Sequence, residues 1–205
     1  IDLSMTRENY ERFIQLFHLE QSKYKILALE TNDRYYNNFI KVIDSTTKIV
    51  DTRNTKTYDS GIFIDIFPMD SFNDLKVIDV CYKLESFKLL SFSKHKNIVY
   101  GDSKLKDLIR TFFWLLVRPI SPRFFANQIE KQIKKYRVEE GKHVAFIPSK
   151  AKEKEVFPSD LFNELIEIPF ENLLLPAPKQ FDAVLKQYYG DYMTLPPKEK
   201  QFYSH

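Results

Sequence analysis

The chain has 205 residues and a formal net charge of +3, and 43% of its residues are hydrophobic while 29% are charged. These proportions are typical of a globular protein and argue against wholesale disorder and a membrane-spanning protein, and the length suits one domain over 1–205. The single cysteine, Cys81, excludes an intrachain disulfide and a multi-cysteine zinc site and favours a reducing compartment. The four glycines are far apart, which excludes glycine-rich dinucleotide-binding and P-loop motifs.

Apolar spacing along the chain predicts helices and strands in a mixed order. Thr6 is the predicted N-cap of a helix over 7–20. Strands are predicted over 24–29 (which could also end the preceding helix), 39–43, 48–50, 61–67, 144–147, 166–170 and 173–176. Further helices are predicted over 74–93, 105–117, 124–136 and 179–189, the last ended by Gly190. This order favours an α+β fold with a helical insertion and a C-terminal hairpin followed by a helix.

An aspartate interrupts the most apolar of the predicted strands. Residues 61–67 read Gly-Ile-Phe-Ile-Asp-Ile-Phe and precede Pro68, which is predicted to end the strand. A carboxylate in such surroundings is costly unless it is paired or binds a cation. Asp65 is therefore either an outward-facing or hydrogen-bonded structural residue or a ligand for a hard divalent cation. Asp2 has apolar neighbours too, and two aspartates on neighbouring strands could hold one metal ion.

Positive charge is concentrated in a helical subregion, residues 94–137. This stretch holds eleven Lys or Arg and three Asp or Glu, which gives a local net charge of +8. The apolar run over 112–117 within it is too short to span a bilayer, which takes about 20 residues. Three interpretations stay open: a buried helix with a basic solvated face, a helix that rests on an anionic membrane surface, and a nucleic-acid-binding segment. Because no nucleic-acid motif accompanies the charge, we do not expect a nucleic-acid partner.

Three blocks of the sequence resemble blocks of the LicD family. Residues 2–13 are similar to the end of its block DDDID-x-x-M-x-R-x-x-Y-x-x-F, and residues 61–70 are similar to its block G-x-F-I-D-I-F-P-x-D. Residues 189–197 are similar to its block YGDYM-x-LPP, and residues 176–178 occupy its P-x-P position. The blocks occur in the family's order across essentially the whole chain.

The resemblance implies a fold, an activity and a site. LicD proteins transfer phosphocholine from CDP-choline to a sugar hydroxyl of teichoic acid or lipopolysaccharide and release CMP, and fukutin-related proteins, which use CDP-ribitol, share the domain. The implied fold is a nucleotidyltransferase-like mixed sheet that carries a D-x-D pair and a third carboxylate. Asp2 matches the second aspartate of the pair and Asp65 the third carboxylate, so both are expected to be catalytic and to bind Mg²⁺ or Mn²⁺. The first aspartate and a glycine-containing block would precede Ile1, so we expect the family's domain to begin upstream.

Three more residues are candidates for binding the nucleotide donor. Arg7 and Lys41 are candidate phosphate partners, with a surface cation or an ion pair at a helix start as the alternative. Asp70, expected in a loop after Pro68, is either a donor contact or a turn or cap residue.

The expected partners are CDP-choline, a lipid-linked glycan and an anionic membrane surface, and the expected location is the cytoplasmic face of the cell membrane. Two alternatives to this function stay open. One is a transferase that uses another CDP-alcohol, with ribitol or glycerol. The other is a non-catalytic module that binds membranes or anionic polymers.

Overall fold

A computed structural model describes residues 2–17, 22–52, 54–101, 103–195, 197–198 and 201. The strands in these residues are β1 (Asp2–Thr6), β2 (Tyr24–Leu27), β3 (Ile40–Asp44), β4 (Phe63–Phe72), β5 (His143–Ala145), β6 (Phe157–Pro158), β7 (Leu165–Phe170) and β8 (Leu173–Pro178). The helices are α1 (Arg7–Phe17), α2 (Lys76–Phe92), α3 (Lys104–Val117), α4 (Pro122–Tyr136) and α5 (Phe181–Tyr189). The predicted α+β class is confirmed, because helices flank a sheet of mostly antiparallel strands.

The strand β4 organises the main sheet. Strands β2, β3, β4, β5 and β6 lie side by side in that order as antiparallel neighbours, while β1 runs parallel to β4. In this register Asp2 of β1 is paired with Asp65 of β4, and Lys41 of β3 is paired with the same Asp65. Paired residues of neighbouring strands project to the same face of a sheet. The topology therefore brings three charged residues into one row across three strands.

Alternation along β4 gives the sheet a closed face and an open face. The even-numbered residues from Ile66 to Phe72 are buried, whereas the odd-numbered residues from Asp65 to Ser71 are partly exposed. Helix α1 covers one part of the closed face, where Tyr10 and Ile14 pack with Ile66. Helices α2 and α4 cover the other part around Phe72, in a core that includes Val77, Cys81, Ile129 and Ile133. The open face is the one that carries Asp65.

Two predictions about the end of β4 are wrong. The strand does not end at Pro68 but continues to Phe72, so Asp70 lies in a strand and not in a loop, turn or cap. Pro68 lies where antiparallel pairing changes partners, because β3 pairs as far as Ile66 and β5 begins to pair at Asp70. A residue without a backbone N–H is tolerated best at such a discontinuity in the ladder.

Most of the other predicted elements are present with shifted ends. The Thr6 hydroxyl accepts a 3.4 Å hydrogen bond from the backbone N–H of Asn9, as expected of a helix N-cap. The helix that follows is described to Phe17, and 18–20 lie outside the described residues. The strand predicted over 48–50 is reduced to a single bridge between Ile49 and Ser60. Of the range 24–29, Tyr24–Leu27 forms a strand and not a helix end.

The basic subregion contains α3 and α4, of which α3 is docked by one side only. The indole N–H of Trp114 donates a 2.9 Å hydrogen bond to the carbonyl oxygen of Ser93, and Trp114 and Val117 are the buried residues of α3. The opposite side of α3 is apolar and exposed. In the part of the chain that the structure describes, the helices are all too short or too polar to cross a membrane.

The C-terminal part forms the predicted hairpin and helix. Strands β7 and β8 pair in a separate two-stranded sheet, and the helix α5 follows. The side-chain amide of Gln187 in α5 donates a 2.6 Å hydrogen bond to the carbonyl oxygen of Val156, which ties this unit to the segment before it. Gly190 ends α5 with φ of 73°, a conformation that glycine adopts without strain, so its predicted role is confirmed. Pro196 of the third block lies outside the described residues.

Candidate active site

The open face of the sheet holds a charged row formed by Asp2, Asp65 and Lys41. Asp2 is exposed, and the side chains of Asp65 and Lys41 retain 14% and 10% of their accessible surface. The Lys41 Nζ atom donates a 2.6 Å hydrogen bond to Asp65 Oδ1. The row therefore combines two carboxylates with one ammonium group at a surface that ligands can reach.

Burial perturbs both members of this ion pair. Burial raises the pKa of Asp65, and the Lys41 hydrogen bond and charge oppose that rise. Burial also lowers the pKa of Lys41, against the hydrogen bond and charge of Asp65. The negative charge of Asp2 acts on both groups and raises the pKa of each. Perturbed titratable groups of this kind, clustered on an open face, are typical of functional sites.

Aromatic rings surround the ammonium group of Lys41. The Nζ atom lies 3.3 Å from the ring centroid of Phe63 and 5.2 Å from that of Phe39. Such cation–π contacts compensate a partly buried ammonium group for lost hydration. They also hold the lysine side chain over the sheet beside Asp65.

Three partly exposed phenylalanines form an aromatic cluster next to the charged row. Phe67 lies two residues after Asp65 on β4 and therefore on the same face. Its ring centroid is 4.7 Å from that of Phe39 and 4.9 Å from that of Phe146, which follows β5. The hydroxyl of Tyr35 donates a 2.8 Å hydrogen bond to the carbonyl oxygen of Phe39 and so supports the loop that carries it. An aromatic surface thus adjoins the carboxylates.

The structure places Arg7 and Asp70 away from this row. Asp70 projects to the closed face of β4 and is fully buried, and Arg7 retains 10% of its side-chain surface. The two groups form a bidentate pair, in which Arg7 Nε donates to Asp70 Oδ1 at 2.8 Å and Nη2 donates to Oδ2 at 2.6 Å. Arg7 is the first residue of α1, so the alternative considered for it, an ion pair at a helix start, is the one that the structure shows. Both groups are committed to each other and not to the open face.

The Arg7–Asp70 pair belongs to a larger buried network. Glu130 of α4 lies 3.6 Å from Arg7, and its carboxylate accepts a 2.9 Å hydrogen bond from the side-chain amide of Asn38. The amide oxygen of Asn38 in turn accepts a 3.1 Å hydrogen bond from Lys88 of α2. This chain of partners explains why Lys88 is buried on a helix face that is otherwise apolar. The network ties α1, α2, α4 and β4 together.

The donor set of the charged row is compatible with a hard divalent cation. Within the described part of the chain, no group of three or more histidine, cysteine or acidic side chains could hold a metal ion by itself. Mg²⁺ is commonly held by one or two carboxylates together with water and substrate phosphate oxygens, and Asp2 and Asp65 are carboxylates on one face. The residues fit such an ion only in partnership with a phosphorylated ligand.

Sequence reasoning grouped five residues, and the structure separates them into two sets. It brings Asp2, Asp65 and Lys41 together on one face and pairs Arg7 with Asp70 on the other. Alternation along a strand through Asp65 and Asp70 could have revealed this separation, since an odd spacing puts two residues on opposite faces. The aromatic cluster was missed, although Phe67 lies within the same block as Asp65. Phe146 carries no local signal, because only the fold brings it to the site.

Comparison with known proteins gives one curated relative. The lipopolysaccharide cholinephosphotransferase LicD of Haemophilus influenzae is 28% identical over 208 aligned residues, which cover 98% of this chain and 76% of the relative. No family model matches the chain. No solved structure matches it either. The aligned residues span nearly the whole chain, which supports the resemblance of this chain to the LicD family.

Proposed function

We propose that this protein transfers phosphocholine from CDP-choline to a sugar hydroxyl of a cell-surface glycan of the lipopolysaccharide or teichoic acid type and releases CMP. The observation that carries the proposal is the row of Asp2, Asp65 and Lys41 on the open face. The name of the relative, a lipopolysaccharide cholinephosphotransferase, supports the reaction class. The acceptor is proposed to be linked to lipid and modified at the cytoplasmic face of the membrane.

The charged row suits a reaction at a diphosphate. The acceptor hydroxyl attacks the phosphorus that bears choline, a new P–O bond to the sugar forms, and the bond to the CMP oxygen breaks. Lys41 is placed to bind a phosphate oxygen of the donor, because its ammonium group retains some exposure beside Asp65 on the open face. One of the two aspartates on this face, Asp2 or Asp65, accepts the proton of the hydroxyl as it attacks.

Asp2 and Asp65 are the residues that would hold Mg²⁺ or Mn²⁺. A bound divalent cation supplies charge screening of the diphosphate and stabilisation of the departing CMP. Asp2 is exposed and Asp65 partly exposed, so both can face a ligand that approaches the sheet.

The aromatic cluster favours choline over other alcohols in the donor. Quaternary ammonium groups bind to the faces of aromatic rings, whereas ribitol and glycerol are neutral polyols that gain no cation–π attraction. Phe39, Phe67 and Phe146 are on the same face as Asp65 and are partly exposed. We assign the trimethylammonium group of the donor to this cluster.

Release of CMP tests the proposal. The full chain is offered CDP-choline, CDP-ribitol and CDP-glycerol in turn, with Mg²⁺ and a glycan acceptor, and CMP is quantified. We expect CMP from CDP-choline, and we expect Asp65→Asn and Asp2→Asn each to reduce its release by about 100-fold or more. Asp79→Asn is the matched control, because Asp79 lies on α2, away from the charged row, and forms an exposed ion pair with Lys152.

Three outcomes would contradict the proposal. If the protein released CMP from CDP-ribitol or CDP-glycerol in preference to CDP-choline, the donor would be that CDP-alcohol and not CDP-choline. Absence of CMP from all three donors, or full activity in both Asp65→Asn and Asp2→Asn, would remove the enzymatic function. Asp2 is exposed, so a folding defect in Asp65→Asn would leave Asp2→Asn as a valid test.

A further inference from the structure

The outward side of α3 is a continuous apolar surface. Its six members, each between 48% and 66% exposed, are Leu105, Leu108, Ile109, Phe112, Leu115 and Leu116. They recur at intervals of three and four residues, so they form one stripe along the helix. We call this stripe the α3 apolar face.

The inward side of α3 fixes this orientation. Trp114 is anchored by its hydrogen bond to the carbonyl of Ser93, and its indole lies 5.1 Å from the ring of His95. Val117 is buried on the same side. Because the helix is held by these contacts, it cannot rotate its leucines into the core without losing its anchor. The α3 apolar face is therefore presented outward by the fold itself.

Two further apolar residues that follow α3 in the sequence are exposed. Phe124 at the start of α4 is 51% exposed, and Ile120 in the turn between the helices is partly exposed. Isolated exposed leucines are ordinary in soluble proteins, but contiguous apolar patches of this extent mark interaction sites.

Positive charge frames the α3 apolar face. Lys104 and Lys106 are exposed and border the stripe on its two sides at the start of the helix. The surrounding segment 94–137 has a local net charge of +8. Basic residues on both borders of an apolar stripe are the arrangement by which an interfacial helix binds anionic lipid, with side chains that reach the headgroups.

We propose that α3 is an interfacial membrane anchor, whose apolar face enters the headgroup–acyl boundary of an anionic bilayer while Lys104 and Lys106 bind lipid phosphates. The charge selects this occupant over a second copy of the chain, because two copies joined through this face would bring two basic borders together. The proposal is independent of the transferase reaction, since it concerns only binding to lipid.

Vesicle sedimentation tests the proposal. The full chain is mixed with vesicles of phosphatidylcholine alone or with about a third phosphatidylglycerol, and the bound fraction is measured at low and high salt. We expect binding to the anionic vesicles that weakens as salt rises. The double variant Phe112→Ser/Leu116→Ser should bind the anionic vesicles at least about tenfold more weakly than the wild type, because two large apolar groups no longer enter the bilayer. The control is Leu165→Ser/Leu174→Ser, which removes equally exposed leucines from the β7–β8 hairpin.

A fluorescent label reports the depth of the helix. Cys81 is fully buried and remains unlabelled, so Leu116→Cys and Leu174→Cys each offer one reactive thiol for an environment-sensitive dye. We expect a blue shift on anionic vesicles for the label at position 116 and none at 174. Equal vesicle binding by the wild type and Phe112→Ser/Leu116→Ser would overturn the proposal. Concentration-dependent dimerisation that this double variant abolishes, without vesicle binding by the wild type, would also overturn it and assign the face to self-association.

Discussion

Asp65 and Asp70 lie on the same strand, and each forms an ion pair with a basic residue, yet their surroundings differ in every other respect. Asp65 faces the open side of the sheet, accepts one hydrogen bond from Lys41 and has the exposed Asp2 beside it. Asp70 is fully buried, accepts two hydrogen bonds from Arg7 and lies under helices. The difference shows that ion pairing alone does not identify a site. Access to solvent and a second carboxylate beside it distinguish the Asp65–Lys41 pair from the buried Asp70–Arg7 pair.

Loss of the basic partner should destabilise the protein at both pairs but to different extents, and the largest effect is expected at Arg7. Arg7→Met leaves the buried Asp70 carboxylate uncompensated, which should lower the free energy of unfolding by about 3–5 kcal/mol. Lys41→Met leaves a carboxylate that water can reach, so we expect a loss of only about 1–2 kcal/mol. Urea denaturation of both variants measures the difference.

The double variant Arg7→Met/Asp70→Leu controls for the buried charge. It removes both charged groups, so it should recover part of the stability that Arg7→Met loses. Equal losses in Arg7→Met and Lys41→Met would show that the two pairs contribute alike to stability and would undo the contrast.

The next effect concerns the pH dependence of the reaction. Burial raises the pKa of Asp65, and Lys41 opposes that rise, so removal of the ammonium group should raise the pKa further. Activity requires the ionised carboxylate and therefore falls as pH drops through this pKa. In Lys41→Met the acidic limb of kcat/KM should thus move to higher pH, by about one unit, besides an overall loss of rate.

Lys23→Met is the control for this shift. Lys23 pairs with Asp44 at an exposed position of the sheet, so its loss should leave the acidic limb in place. An acidic limb at the same pH in Lys41→Met and the wild type would mean that the carboxylate of Asp65 does not govern the profile.

The smallest effect is expected at the aromatic cluster. Phe67→Leu keeps an apolar side chain but removes one aromatic face, so KM for CDP-choline should rise about threefold to tenfold, as expected for one cation–π contact. KM for CDP-glycerol, where measurable, should not change. Phe170→Leu on the β7–β8 hairpin is the control, because Phe170 is exposed and lies in a separate sheet. A parallel rise for both donors would mean that the cluster supports the fold and does not select choline.

The sequence predicted the helices and strands better than it predicted which of them pair or pack with each other. Helices α2, α3 and α4 begin and end within about two residues of the predicted ranges, because apolar spacing and caps act locally. The end of β4 was missed, since the cost of Pro68 depends on which neighbour pairs with it and not on its flanking residues. The strand predicted over 48–50 failed for the same reason, because a strand needs a partner along its length.

Within the candidate site, the local sequence identified which charged residues were unusual, and the fold decided which of them lie together. An aspartate in the apolar run 61–67 already indicated a paired or ligand-binding carboxylate, because burial of an unpaired charge is too costly. Lys41 as the partner of Asp65, by contrast, follows only from the register of β3 against β4. The partners in the buried network of Glu130, Asn38 and Lys88 come from distant segments, so local sequence could show only that Lys88 interrupts an apolar helix face.

The amino-acid sequence by itself determined the α+β class, the absence of glycine-rich nucleotide loops, the concentration of charge in 94–137 and the two aspartates of the charged row. Those features depend on composition and on periodicities of a few residues. The tertiary structure alone decided that the Asp65 side chain is partly exposed while that of Asp70 is buried, and that the leucines of α3 point outward. The physical reason is that burial and pairing are properties of long-range contacts. A residue's type limits what it can do, and its distant neighbours decide which of those possibilities is realised.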